Sequence, residues 1–136
     1  MSTVIRPDIS KRSKYWISKE RFYELKHFCL QYEEWKEELN SITLYSAASV
    51  RSGRKGCSNP TENNALRQLR LLDKISLVES VARETDSSIA PYILKAVTSD
   101  VSYPYLQMVL GIPCGRDMFY DRYRKFFWLL SKRKEE

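Results

Sequence analysis

The chain has 136 residues, 43% hydrophobic and 29% charged, with a formal net charge of +6. That length buries a core without disulfides or metal, and the charge points to a polyanionic partner. Cys29, Cys57 and Cys114 form no CxxC pair and His27 is the sole histidine, so neither a metal site nor a cofactor is expected.

The N-terminus has no apolar signal core, and no window of about 18 apolar residues occurs. No membrane span is expected, and free thiols fit an intracellular, reducing home. The basicity is concentrated: residues 1–26 carry seven Lys/Arg against three acids, and residues 111–136 seven against four.

Residues 1–16 are polar, with Pro7 and no hydrophobic period, and read as a basic, flexible arm. Within it Lys11, Arg12 and Lys14 surround Tyr15-Trp16, a combination suited to phosphates and to stacking on single-stranded bases. Residues 17–136 read as a single helical domain. Ser18 is a candidate cap for a helix placing Phe22, Leu25, Phe28 and Cys29 on one face, and Tyr32, Trp35 and Leu39 continue the spacing past a kink near Gln31. Residues 46–58 read as a flexible linker whose Arg51, Arg54 and Lys55 are candidate phosphate contacts.

Asn59-Pro60-Thr61-Glu62 has the composition of a capped helix start. The helix that follows should be the longest, running to about residue 84, with Leu66, Leu69, Leu72, Ile75, Val78 and Ala82 as its stripe. Leu71, Leu77 and Val81 widen that stripe. Two explanations stand, a central position in the bundle or a second subunit, and so a homodimer. Ser88 is the expected cap of the next helix, with Pro91 in its first turn and a break at Ser99-Asp100; Ser102 and Pro104 then start a short one.

The last quarter suggests a chemistry most directly. Over residues 102–131 a short apolar helix bearing Tyr105, Leu106, Val109 and Leu110 is followed by Gly111-Ile112 and a longer basic, aromatic helix. This is the outline of a helix-turn-helix, with Gly111 free to take positive φ. Phe119, Tyr123, Phe126, Phe127 and Leu130 form the buried stripe of the second helix, with Phe119 set against Leu106 and Leu110. Arg116, Asp117, Tyr120 and Asp121, followed by Arg124 and Lys125, remain outward. Residues in the first turns of such a helix reach base edges and later cations meet phosphates, which makes Arg116 the candidate for a bidentate guanine contact.

The stretch Tyr105 to Lys125 resembles the C-terminal, sigma-region-4-like helix-turn-helix of phage transcriptional regulators of the RinA and ArpU type. Ile112-Pro113-Cys114-Gly115, the tail Phe119-Tyr120-Asp121-Arg122-Tyr123-Arg124-Lys125-Phe126-Phe127 and the early stretch Ile17 to Lys26 are similar to small proteins of phages and mobile elements of Gram-positive bacteria. The regulator resemblance implies promoter double-stranded DNA as the ligand, RNA polymerase as a further partner, and Arg116, Asp117, Tyr120 and Arg124 on the exposed recognition face. Seven residues separate Ile112 from Phe119, a longer turn than those regulators have, by way of Pro113-Cys114-Gly115.

Other groupings carry less. His27, Phe28 and Cys29 are neighbours in sequence and cannot face one another on a helix, so a half-buried structural histidine is expected. Cys114 is either a thiolate of lowered pKa at a helix N-terminus or a small packing residue. Glu33, Glu34, Glu37 and Glu38 read as a solvated face. No paired carboxylates, metal cluster or phosphate-binding glycine loop is present, so an enzyme is not expected. The reading is therefore an all-α bundle of about five helices ending in a helix-turn-helix, with a basic arm, acting as a sequence-specific DNA-binding regulator. Its rivals are a small terminase-like packaging subunit and a phage protein that inhibits a host nucleic-acid enzyme.

Overall fold

The computed structural model describes residues 14–51 and 58–135. Among these the fold is all-α: six helices and no strand, and no helix is long and apolar enough to cross a membrane. The helices are α1 (Lys19–Leu30), α2 (Tyr32–Arg51), α3 (Ser58–Thr85), α4 (Ala90–Ser99), α5 (Tyr103–Met108) and α6 (Arg116–Glu135). The helix break at Gln31 is where the sequence places a kink, and it turns one expected helix into two.

The chain divides into two units, one built from residues up to Gln31 and from Val78 onward, the other from Tyr32–Leu77. In the first, Ser18 caps α1 as expected, its Oγ accepting from the Arg21 N–H at 3.3 Å. Phe22, Leu25 and Cys29 recur every three to four residues and are buried, while Phe28 is half-buried and His27 exposed. Against α1 pack α4 and α6, and α4 also meets α5. Phe22, Phe119, Phe126 and Phe127 are all at or below 1% exposure. Edge-to-face ring pairs hold them, Phe22 on Phe127 at 4.9 Å and Phe126 on Phe127 at 5.1 Å. Each such side chain contributes roughly 1.5–3 kcal/mol on burial, and the quadrupoles favour these tilted pairs.

Lys26 is buried too, at 7% exposure. Its ammonium lies 3.3 Å from Asp100. Asp100 ends α4 in the left-handed region at φ 52°, a conformation Asp tolerates better than most side chains. The sequence's break at Ser99-Asp100 is therefore also the anchor of a buried charge. Before α4, Ser88 is not the cap: Ile89 is, and Ser88 donates from both its N–H and its hydroxyl to Asp86. Asp86 thus closes an Asx turn that takes Ser88 out of the capping position.

In the second unit, α2 buries Tyr32, Trp35 and Ile42, with Leu39 half-buried between them. Lys74 lies over the Trp35 ring at 5.6 Å, and Arg67 pairs with Glu38. Helix α2 runs through residue 51, so the first half of the expected linker is helical. Ala47-Ala48 favour helix and nothing before Arg51 breaks it. Residues 52–57, with Arg54 and Lys55, lie outside the described residues, as do Lys11 and Arg12.

Helix α3 is the longest, as expected, but its stripe is different. Leu71, Ile75, Val78, Ala82 and Thr85 are buried, preceded by half-buried Asn64 and Gln68. Leu66, Leu69 and Leu72 stand 53%, 56% and 42% exposed. Two apolar rows compete on this helix. The row 64-68-71-75-78-82-85 keeps alternating steps of four and three from Asn64 to Thr85, whereas the leucine row steps by three from Leu66 to Val78 and drifts around the axis.

Candidate nucleic-acid interface

Helix α5 is a single short piece. The Val109 N–H donates to the Tyr105 carbonyl at 2.9 Å, and the Ile112 N–H reaches back to the Leu106 carbonyl at 3.1 Å. Between them Gly111 sits at φ +65°, the left-handed residue the sequence anticipates at this stop. Tyr103 closes the turn from the other side, its hydroxyl donating to the Cys114 carbonyl at 2.7 Å. Pro113-Cys114-Gly115 is thereby held to the start of α5.

The face of α5 differs from the expected one. Tyr103, Leu106 and Ile112 are buried, whereas Tyr105, Val109 and Leu110 are 40%, 61% and 40% exposed. The helix ends at Met108 with Val109 as its cap, still helical in backbone, so the short helix turns Tyr103 and Leu106 inward and leaves Tyr105 and Val109 on its outer side. Phe119 is fully buried, as expected, and its ring partners are Tyr120 at 5.3 Å, Tyr103 at 5.7 Å and Tyr123 at 6.0 Å.

On α6 the expected buried stripe of Phe119, Tyr123, Phe126, Phe127 and Leu130 is the observed one. Burial holds the Tyr123 phenol in its neutral form, well above the ordinary tyrosine range. The outward side carries two adjoining rows. Arg116, Tyr120 and Arg124 follow one another at steps of four. Arg116 is exposed, with its guanidinium 5.5 Å over the Tyr120 ring, and Tyr120 is half-buried beside Tyr103 at 6.4 Å. Tyr120 therefore acts as a platform for Arg116.

The second row is Asp117, Asp121, Lys125, Trp128 and Lys132, acidic in its first two turns and basic and aromatic afterward. Asp117 is exposed in the first turn, where the helix dipole favours a carboxylate. Asp121 pairs with Arg122, while Arg124 and Lys125, both half-buried, make no salt bridge among the described residues.

Two of the C-terminal cations serve the fold. Arg122 donates to Asp86 at 3.0 Å and Arg133 pairs with Glu84. The Ser88 hydroxyl first, and Arg122 beside it, hold the Asp86 carboxyl below the usual carboxylate range. Cys114, half-buried, is pushed up by burial and by the Asp86 carboxylate, so the alternative of a lowered-pKa thiolate is set aside. Cys29 is pushed up to about 12 by burial. Neither is an activated thiol.

Sequence reasoning passed over the contacts around the start of α1. Arg21 donates to the Ser131 hydroxyl at 3.0 Å and to the Ser131 carbonyl at 3.1 Å, tying α1 to α6. Exposed Lys14 has its ammonium 5.6 Å over the Tyr15 ring, and Tyr15 meets Trp128 edge-on at 5.4 Å. The last residues of the expected arm are thus packed on α6. The available signal was the step from Lys125 to Trp128 to Lys132, which places an indole on the outward row between two cations. Arg51 is the last residue of α2, and its side chain is not among those described. No protein-family model, curated protein or solved structure matches the chain.

Proposed function

We propose that the protein binds double-stranded DNA through α6 and regulates transcription in a phage or mobile element. The observation carrying this reading is the row Arg116–Tyr120–Arg124. It stands on the outward side of a helix whose opposite face is held by the aromatic core, and it is presented by a glycine turn from a short preceding helix. Arg116 is stacked and exposed, the state in which a guanidinium reads guanine bidentately, while Arg124, Lys125 and Lys14 supply phosphate contacts. Asp117 and Asp121 are then acceptors for cytosine amino groups or a barrier to unwanted sequences.

The test is selection from random duplex DNA, followed by affinity measurement over a salt series. One consensus should emerge, log affinity should fall steeply with log salt, and Arg116→Ala should cost roughly 1–3 kcal/mol of specific binding with folding intact. Failure to enrich any sequence, or a flat salt response, would overturn the reading.

A second reading has an observation of its own. Met108, Val109, Leu110 and Met118 are 84%, 61%, 40% and 40% exposed around one turn, an apolar patch suited to a protein partner. Such a patch serves an inhibitor of a host nucleic-acid enzyme, or a regulator's contact with RNA polymerase. Association of purified polymerase with the wild type and not with Met108→Glu would favour the regulator. Inhibition of an isolated nucleic-acid enzyme with no duplex binding would favour the inhibitor.

A further inference from the structure

A groove of about 430 Å³ lies between the residues entering α1 and the C-terminal turns of α6. Its volume falls within the roughly 300–1,000 Å³ of small-ligand clefts. Trp16, Ile17 and Trp128 supply its apolar surface, Arg21 and Lys132 its cations, and Glu135 the one carboxylate among the lining residues. Trp16 is 37% exposed and Trp128 half-buried. We infer that this groove binds unpaired nucleobases, so that the protein holds a single-stranded stretch of nucleic acid by stacking on the two indoles.

Three features argue for this occupant. First, an exposed indole in a shallow groove is a poor structural choice and a good stacking surface, since every base presents a π-face. Second, the groove offers cations to a strand: Arg21 is held in place by its two bonds to Ser131 and shares its charge with Glu24, while Lys132 lines the groove and makes no salt bridge among the described residues.

Third, the Lys132 ammonium rests 3.6 Å over the Trp128 ring. A cation on an indole face is held by the ring quadrupole, but a lysine stem is flexible. When a base takes the ring, the ammonium can move to the adjoining phosphate. The same side chain then covers the indole in the free protein and neutralises the strand in the bound one. This inference does not rest on duplex recognition by α6, because the groove uses residues outside the Arg116 row.

Intrinsic fluorescence gives the direct test, because the remaining tryptophan, Trp35, is 4% exposed and belongs to the other unit. The full-length protein is titrated with oligothymidylate and oligouridylate of roughly 12 nucleotides, with a duplex of the same length and with inorganic polyphosphate. The single strands should quench the emission, and Trp16→Ala and Trp128→Ala should each weaken their binding roughly tenfold. Duplex affinity should stay nearly unchanged in both variants and fall in Arg116→Ala, which keeps single-strand binding. Oligothymidylate bound with oligouridylate excluded would restrict the groove to DNA, and the converse to RNA.

If Trp128→Ala does not fold, Trp16→Ala carries the test, since Trp16 precedes α1. Three results would overturn the inference: no quenching by single strands, wild-type affinity in a folded Trp16→Ala protein, or polyphosphate displacing the strand as effectively as another strand does. The last would show a charge patch without base recognition.

Discussion

The two units are both helical, yet they use different hydrophobic side chains in different ways: all five phenylalanines fall in the unit of α1, α4, α5 and α6 and none in Tyr32–Leu77. In the unit containing α1, α4, α5 and α6, the stripes of α1 and α6 are buried, four phenylalanines are at or below 1% exposure, and the exposed large apolar side chains stand before α1 and around the α5–α6 turn. In the unit Tyr32–Leu77, one row of each helix is buried among the described side chains, and Leu44, Leu66, Leu69 and Leu72 stand 63%, 53%, 56% and 42% exposed. Propensity and periodicity make a helix; a second packing face must be supplied by another element. Where several helices converge, even a lysine is buried with a partner. Where two pair, leucines remain outside.

The largest test of this contrast is a pair of truncations. Phe126→Ala removes a fully buried ring from the first unit and should cost about 3–5 kcal/mol through the cavity it leaves. Leu69→Ala removes an exposed side chain from the second and should stay within about 0.5 kcal/mol. Urea denaturation of the two variants measures both. A cost for Leu69→Ala comparable to that of Phe126→Ala would mean that the leucine row is covered in solution, as in a homodimer, and would remove the contrast.

How far the sequence reveals this depends on how many rows compete. On α6 the aromatic spacing admits one buried stripe, and that stripe was legible, as were the positive φ of Gly111, the Ser18 cap and the break at Gln31. On α3 the two rows share Ile75, Val78 and Ala82, and the leucine count favours the wrong one. The correct row passes through Asn64 and Gln68, whose polarity hides it. The interface was legible in part. Arg116 follows from its place at the start of α6, but Tyr120 as its platform needs the position of Tyr103. The Trp128 groove needs the path of the chain before α1, and the Lys26–Asp100 and Arg122–Asp86 pairs are long-range. A cation's pairing depends on which helices adjoin, and no local pattern records it.

A sharper version of the contrast uses charge. Lys26 has an 8% exposed side chain and Asp100 a 34% exposed one, whereas Arg67 and Glu38 are 52% and 41% exposed. Asp100→Asn keeps a residue that tolerates the left-handed backbone and removes only the charge. Breaking a wholly buried pair costs about 3–5 kcal/mol. With Asp100 one-third exposed, about 2 kcal/mol is expected. Lys26→Met combined with Asp100→Asn should recover most of that loss, because the lysine no longer carries an uncompensated charge. Glu38→Gln should change stability by less than about 1 kcal/mol. Thermal melts of the four proteins decide it, and an Asp100→Asn protein as stable as the wild type would place Lys26 in solvent.

The smallest expected effect separates backbone conformation from packing within the first unit. Gly111 lies at φ +65°, and a Cβ built on it would meet nothing within 4 Å. Gly111→Ala therefore creates no clash, and its cost is the left-handed backbone alone, roughly 1–2 kcal/mol, offset in part by the lower entropy of the unfolded alanine chain. A net loss of about 1 kcal/mol is expected, with Gly111→Asn costing less because Asn adopts this conformation more readily. Equal losses for Ala and Asn would argue against the left-handed turn, and a loss as large as that of Phe126→Ala would mean the turn is packed. The variant also bears on function. Gly111 sets the path from α5 through the Tyr103–Cys114 bond to the start of α6, so its strain should appear as weakened duplex binding parallel to that of Arg116→Ala. Single-strand binding at the Trp16–Trp128 groove, at the far end of α6, should be unaffected.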